Sequence, residues 1–339
     1  MPIPIAIIGC GQWGMNHVRN FSAADQARVT WCCDASPERL AAIRRQYPNV
    51  RTTHELSDVL NDSEVQAVVV ATPTSTHFSV VKAALERGKH VLCEKPLTTR
   101  SAECETLIRL AAEQKRLLMV GHVFLFNAAV RKLREYLQEG KLGRLYYLSA
   151  RRTNLGPIRS DADSLWDLAS HDISIFDYLL DGAAPVRVSA FGGAFLNAKR
   201  ADVAFVSMEY PNNIVANIQV SWLDPQKRRE ITVVGAQKMA IFNDMSMDAP
   251  LWLYDKGAEL KHEPYESFER FRVLSWDRDA TVPKIPPVEP LGSETRHFLE
   301  CIAEGKRPLT DGENGLRVIR VLEAASRSME QGGAPVGCA

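Results

Sequence analysis

Two short stretches carry residue types that can move a proton. In Ser164-Leu165-Trp166-Asp167-Leu168-Ala169-Ser170-His171-Asp172, Asp167 and His171 stand four apart. On a helix that spacing puts a carboxylate and an imidazole on one face. The carboxylate orients and charges the imidazole, which exchanges a proton near neutral pH. Leu168, Ile175 and Leu179 supply an apolar stripe, so the polar pair is expected to point elsewhere, at a cleft. A plain helix-surface ion pair stays open, and so does Asp172 as the partner in place of Asp167. The second stretch is Glu94-Lys95-Pro96, directly after an apolar run. A lysine between a buried strand and a proline is held in place. It can bind a hydroxyl or carbonyl oxygen and tune its proton transfer. An ordinary solvated lysine is the alternative. Lys95-Pro96 is also a place where a cis bond would mark a specially shaped turn. Arg151, Arg152, Asn154 and Arg159 precede the Asp167 helix. They suit an anionic substrate group such as a diphosphate or carboxylate, or serve equally as edge-strand charges. No cysteine lies near His171 and no third ligand is evident, so no metal site is expected.

The elements that must position these groups begin at the N-terminus. The isoleucine-rich run 3–8 reads as a buried strand and enters Gly9-Cys10-Gly11-Gln12-Trp13-Gly14, a G-x-G-x-x-G turn, with helical spacing to about Phe21. Gly9 allows the tight turn, Gly11 lets the backbone approach phosphates, and Gly14 lets helix pack on strand. The helix start, with Gln12 and Trp13, offers free N–H groups and a positive dipole end to an anion. A second apolar run ends in Asp34, twenty residues beyond Gly14, where a carboxylate would hold adenosine ribose hydroxyls. An N-cap role for Asp34 is the alternative, though Ser36 fits that cap better. This strand–glycine–helix–strand–acid order predicts a dinucleotide site. Asp34 repels a 2′-phosphate, so NAD(H) is favoured; Arg39 leaves NADP(H) possible. Thr72, Pro73 and His77 follow the third apolar run and are placed to line the nicotinamide ribose or pyrophosphate, or simply to start a capped helix.

Over 1–120, strands at 3–8, 29–33, 67–71, 89–93 and 117–120 alternate with helices at 14–21, 37–46, 54–60, 77–87 and 101–115. This is the rhythm of a doubly wound parallel sheet. Beyond Gly121 come a helix near 127–139 and alternating runs at 145–153, 186–192, 203–210, 214–223, 229–234, 238–243 and 251–254. A helix at 164–180 interrupts them. An open, mostly antiparallel α+β domain follows from that pattern. The polar segment 256–290 reads as an extended connector, and helices at 292–304 and 312–330 close the chain. The domains are therefore expected at 1–121 and 122–339, with the helices in 292–330 packing near the junction. The chain has 339 residues, with 41 Lys+Arg against 41 Asp+Glu. That balance argues against nucleic acid or an anionic membrane as partner, and no apolar run is long enough to span a bilayer. Seven scattered cysteines without a C-x-x-C pair, and an N-terminus with no basic flank, give the expectation of a cytoplasmic protein without a secretion leader.

Taken together, these residues resemble the glucose–fructose oxidoreductase/inositol dehydrogenase (Gfo/Idh/MocA) family. The carriers are Gly9-Cys10-Gly11-Gln12-Trp13-Gly14, Ala71-Thr72-Pro73 with His77, Glu94-Lys95-Pro96, and Asp167 with His171. The resemblance covers nearly the whole chain. It implies a Rossmann domain followed by a sheet domain that commonly forms a dimer or tetramer interface. It implies Lys95 and His171 as the catalytic pair, with Asp167 binding substrate and supporting His171, and Glu94 among the cofactor-binding residues. The glycine that often precedes the histidine is replaced here by Ala169-Ser170. A narrower likeness to nucleotide-sugar 3-dehydrogenases rests on Gly121-His122-Val123-Phe124 with Asn127, on Asn154-Leu155-Gly156-Pro157, and on Trp166-Asp167-Leu168. The implied reaction is hydride transfer between nicotinamide and a secondary alcohol or ketone of a sugar. An inositol, dihydrodiol or other polyol dehydrogenase, or a non-catalytic NAD(H)-binding sensor, stands as the alternative.

Overall fold

The computed structural model describes residues 2–156, 158, 162–196, 200–261 and 272–338. These fall into two compact units, 1–127 with 288–323, and 128–287 with 324–339. Residues 288–323, which the sequence places in the second domain, thus pack with the first.

In the first unit, β1 (Ile3–Ile8), β2 (Ala27–Cys33), β3 (Arg51–Thr53), β4 (Ala67–Val70), β5 (His90–Glu94) and β6 (Leu118–Gly121) form a parallel sheet. Its order is β3-β2-β1-β4-β5-β6. Helices α1 (Gln12–Ser22), α2 (Pro37–Gln46), α3 (Leu56–Asn61), α4 (Thr74–Glu86) and α5 (Ser101–Glu113) make the crossovers. The strands are buried almost throughout, which explains their unbroken Val/Ile/Leu character. Strand order reverses between β1 and β4, and there the loops after the strands leave a crevice for ligand. β3, too short and too polar to show as a periodic run, is the strand that sequence pattern misses. Ser36 caps α2 by accepting the Arg39 N–H at 3.3 Å, with Pro37 at the first helical position.

In the second unit, the described residues form nine strands. They are β7 (Leu145–Leu155), β8 (Arg187–Gly193), β9 (Val203–Tyr210), β10 (Ile214–Ser221), β11 (Leu223–Gly235), β12 (Met239–Asn243), β13 (Leu251–Lys261), β14 (Arg272–Thr281) and β15 (Val336–Gly337). Their order is β14-β13-β12-β11-β7-β10-β9-β8-β15. Every pairing is antiparallel except β7 with β10. The extended connector expected at 256–290 is in part a hairpin arm, because β13 and β14 pair from Leu253↔Thr281 to Lys261↔Arg272. Its polarity hid it: the sequence there carries little apolar periodicity.

Period-two alternation gives this sheet two faces. Leu148, Ala150, Val206, Met208, Ala216, Ile218, Val233 and Phe242 point inward and are buried. Helices α6 (Ala128–Gln138) and α7 (Ser170–Leu179) pack against β12 and β7 respectively. On the other face, cross-strand registers align Arg187–Glu209–Val215–Tyr147–Val234–Met239–Tyr254 in one row. Beside it runs a polar row, Ser189–Ser207–Asn217–Ser149, and beyond that a row that pairs Phe191 with Phe205. Phe191 is 60% exposed, Phe205 51% and Val215 49%. Among the described residues no helix is long and apolar enough to cross a membrane.

Candidate active site

The crevice of the first unit is built mainly by backbone. Gly9 has φ +90°, and a Cβ there would stand 2.6 Å from the Ala71 carbonyl. Only glycine lets the loops after β1 and β4 approach so closely. A Cβ on Gly14 would stand 1.8 Å from the Gly9 carbonyl oxygen, so α1 also needs glycine to pack on that loop. Gly11 is different. Its Cβ would meet nothing nearer than the Arg39 guanidinium at 3.8 Å, which leaves a clear approach to the backbone. No side chain caps α1, so the first N–H groups of its turn are left for an anion. Gln12 and Trp13 in that turn are exposed. A pyrophosphate fits this cradle.

Asp34 is buried at the end of β2 and organises the loops on either side. Its Oδ2 accepts the Cys10 N–H at 2.6 Å and lies 3.3 Å from Arg39 Nη1. Its Oδ1 accepts the Ser36 N–H at 2.8 Å. The acid therefore ties the glycine loop to the start of α2. Ser36, not Asp34, caps the helix.

The loops after β4 and β5 are joined by His77. It is buried, with Nδ1 2.8 Å from the Pro96 oxygen and Nε2 2.9 Å from the Thr72 oxygen. His77 thus braces the crevice from beneath, while Thr72 and Pro73 remain at its surface. Lys95-Pro96 is cis. Lys95 is half-buried, and its N–H donates to Glu94 Oε2 at 3.2 Å. Glu94 Oε1 meets His17 Nε2 at 2.9 Å. His122, after β6, is buried; burial and then the charge of Lys95 push it down to about 3, so its imidazole is neutral.

In the second unit the expected helix at 164–180 begins as a π-turn, Leu165–Ala169, before continuing as α7. Such widened turns recur at functional sites because they re-aim side chains. Asp167 lies in the π-turn and His171 one turn on, both half-buried. Asp167 Oδ2 accepts the indole N–H of Trp222 at 3.3 Å. Trp222 is buried at the end of β10. It lies 55 residues from Asp167, too far for any local pattern to pair them. The alternative partner Asp172 faces the other way, into a bidentate pair with Arg152 at 3.0 and 2.8 Å. Burial holds the Asp172 carboxyl above its usual range even against that guanidinium. Arg152 is itself buried. Two of its N–H groups are committed to Asp172, which makes it a fastener of α7 to β7. Asn154 is half-buried, its amide lying over Gly156 where a Cβ would sit. Arg159 lies outside the described residues.

Comparison with known proteins agrees with both halves. Residues 3–122 match the model of an oxidoreductase family with an NAD-binding Rossmann fold, and residues 130–241 match the GFO/IDH/MocA C-terminal domain. The chain is 31% identical over 331 residues to UDP-N-acetylglucosamine 3-dehydrogenase of Acidithiobacillus ferrooxidans, spanning 92% of this chain and 93% of that one. The solved structure of the dehydrogenase of that name from the same organism superposes with a TM-score of 0.81 at 28% identity, covering 98% and 99% of the two chains. Inositol 2-dehydrogenase 2 of Saccharopolyspora erythraea is 30% identical over 227 residues, 65% of this chain and 67% of its own. The glycine cradle, the Glu94-Lys95-Pro96 turn and these matches lead to one conclusion: the chain belongs to the Gfo/Idh/MocA family of NAD-binding oxidoreductases.

Proposed function

We propose that the protein exchanges hydride between NAD(H) and a secondary alcohol or ketone of a sugar, with a nucleotide-linked amino sugar as the leading substrate class. The observation that carries this reading is the joint presence of the open Gly11 cradle, Lys95 at the end of β5, and Asp167 on a π-turn with His171 one turn on. The UDP-sugar dehydrogenase among its relatives, matching over nearly its full length, supports the substrate class. When bound, NAD supplies the hydride acceptor at nicotinamide C4. Gly9, Gly11 and Gly14 shape its pyrophosphate site, with the N–H groups of Gln12 and Trp13 at the helix start. Asp34 favours the unphosphorylated ribose. Lys95 binds the carbinol oxygen and stabilises negative charge on it. His171 takes the hydroxyl proton as the C–H bond breaks, and Asp167 orients the imidazole. In reduction the same groups return the proton. Asn154 and Arg159 contact the anionic part of the substrate.

The unit of 1–127 with 288–323 would serve as the cofactor domain, and that of 128–287 with 324–339 as the substrate and assembly domain. The exposed Phe191–Phe205 and Val215–Tyr147 pairs on the outward face support a homodimer or homotetramer through the open sheet, since exposed apolar side chains grouped on one face mark an interface. Seven cysteines outside any disulfide among the described residues, six of them buried, suit a reducing cytoplasm. A polyol reading is favoured by the inositol dehydrogenases among the relatives. The test is reduced-cofactor absorbance with UDP-sugars, free sugars, inositols and dihydrodiols, in both directions. Turnover confined to sugars and strongest with nucleotide-linked ones is expected. No turnover with any of them would sink the enzymatic reading in favour of a cofactor sensor.

A further inference from the structure

Behind Lys95 lies a buried polar cluster that none of the steps above uses. His17 on α1, Glu94 at the end of β5 and Glu294 on α8 (Pro290–Glu304) are all buried. Glu94 is engaged on both oxygens, by His17 Nε2 at 2.9 Å and by the Lys95 N–H at 3.2 Å. A Cβ on Gly121 would stand 3.3 Å from the same Oε2, so β6 closes the remaining side. Beyond this pair, His17 Nδ1 and both Glu294 oxygens are buried without a hydrogen-bond partner. Buried polar atoms are nearly always satisfied, so three such atoms in one region call for an explanation.

The two helices face each other here. Phe21, one turn after His17, meets Phe298, one turn after Glu294, edge to face at 6.4 Å. Residues one turn apart share a helix face, so His17 and Glu294 lie on the facing sides of α1 and α8. We propose that Glu294 donates a hydrogen bond to His17 Nδ1 through one internal water, and that this relay holds the Glu94 side chain and with it the Lys95 turn. Donor and acceptor match in kind. A neutral imidazole that gives its Nε2–H to Glu94 leaves Nδ1 as a bare acceptor. Glu294 is a donor only as the acid. Burial, and then the charge of Glu94, push it well above the ordinary carboxylate range. The other titratable groups here are His17, Glu94, Lys95 and His122, and His122 is neutral. Glu294 and His17 are therefore positioning residues for Lys95. The consequence for turnover rests on the catalytic role given to Lys95 above; the relay itself does not.

The test uses the full chain as wild type, Glu294→Gln and Glu294→Met. An infrared band of a protonated carboxylic acid, present at neutral pH in the wild type and lost in both variants, is expected. The His17 Nδ1 resonance should move in Glu294→Met and return toward the wild-type position in Glu294→Gln, whose amide can donate. Neither readout needs a substrate, so they stand even if the sugar reading fails. With a substrate in hand, Glu294→Met should lose roughly ten- to a hundredfold in kcat rather than in KM, with most of it restored by Gln. An unchanged acid band in Glu294→Gln, or an identical His17 Nδ1 signal in wild type and Glu294→Met, would overturn the relay.

Discussion

The cofactor crevice and the Asp167 site are built by opposite means. The first is backbone work: three glycines, a cis-proline turn and a free helix end, with Asp34 and His77 as braces. The second is side-chain work on a distorted helix, tied to the sheet by Trp222 and by the Arg152–Asp172 pair. A backbone site tolerates almost no substitution at its glycines but carries little information about substrate. A side-chain site changes by degrees, and it is where specificity is set. Damage to the crevice should therefore be all-or-none, and damage to the π-turn site graded.

Gly14→Ala probes the first expectation most severely. With its Cβ 1.8 Å from the Gly9 oxygen, the loop or α1 must move. Loss of measurable NADH binding by fluorescence titration is expected, with destabilisation of about 1–3 kcal/mol in denaturant unfolding. NADH binding at wild-type affinity would break the contrast.

Trp222→Phe probes the second. It keeps an aromatic ring, though one smaller than the buried indole, and removes one hydrogen bond of 3.3 Å to Asp167. A bond of that kind contributes about 0.5–1.5 kcal/mol, so turnover should fall by no more than about tenfold while NADH affinity holds. Loss of all activity would mean that Trp222 does more than orient Asp167.

Arg39→Ala is a smaller change within the crevice. Arg39 is largely exposed, with Nη1 3.3 Å from Asp34. Affinity for NADP(H) should drop by up to about fivefold relative to NAD(H), measured by competitive titration. Equal effects on both cofactors would remove Arg39 from the ribose 2′ position.

The mildest effect is on stability against pH. His90 accepts the Leu117 N–H on Nδ1 at 3.0 Å, and burial pushes it down to about 4. His122 is likewise held neutral. Below pH 6.5 the unfolded chain takes up protons that these folded imidazoles refuse. Stability is thus intact above pH 6.5 and declines as pH falls from there toward about 4. Thermal unfolding across that range should show the decline, and His90→Gln should lessen it. A flat profile would contradict neutral burial of these rings in the first unit.

What could be read from the chain follows the same division. Helix α2 falls on its expected span because Ser36 and Pro37 fix its start locally. The glycine turn is legible because three backbone constraints fall within six residues. The π-turn at Leu165–Ala169 leaves no mark, since apolar spacing there fits an ordinary helix. Trp222 reaches Asp167 across 55 residues and His17 reaches Glu94 across 77, and no periodicity encodes that. Arg152 reads as a free surface cation until β7 turns it inward to Asp172. The return of 288–323 to the first unit depends on tertiary packing alone.

The central claim is that Lys95 and His171 do proton work while the glycine crevice only holds NAD. It is tested most directly by measuring turnover and NADH affinity on the same preparations of wild type, Lys95→Ala and His171→Ala. A loss in turnover of about a hundredfold or more is expected in each variant, with NADH affinity close to wild type. Turnover near wild type in either variant, or loss of NADH binding in both, would contradict it.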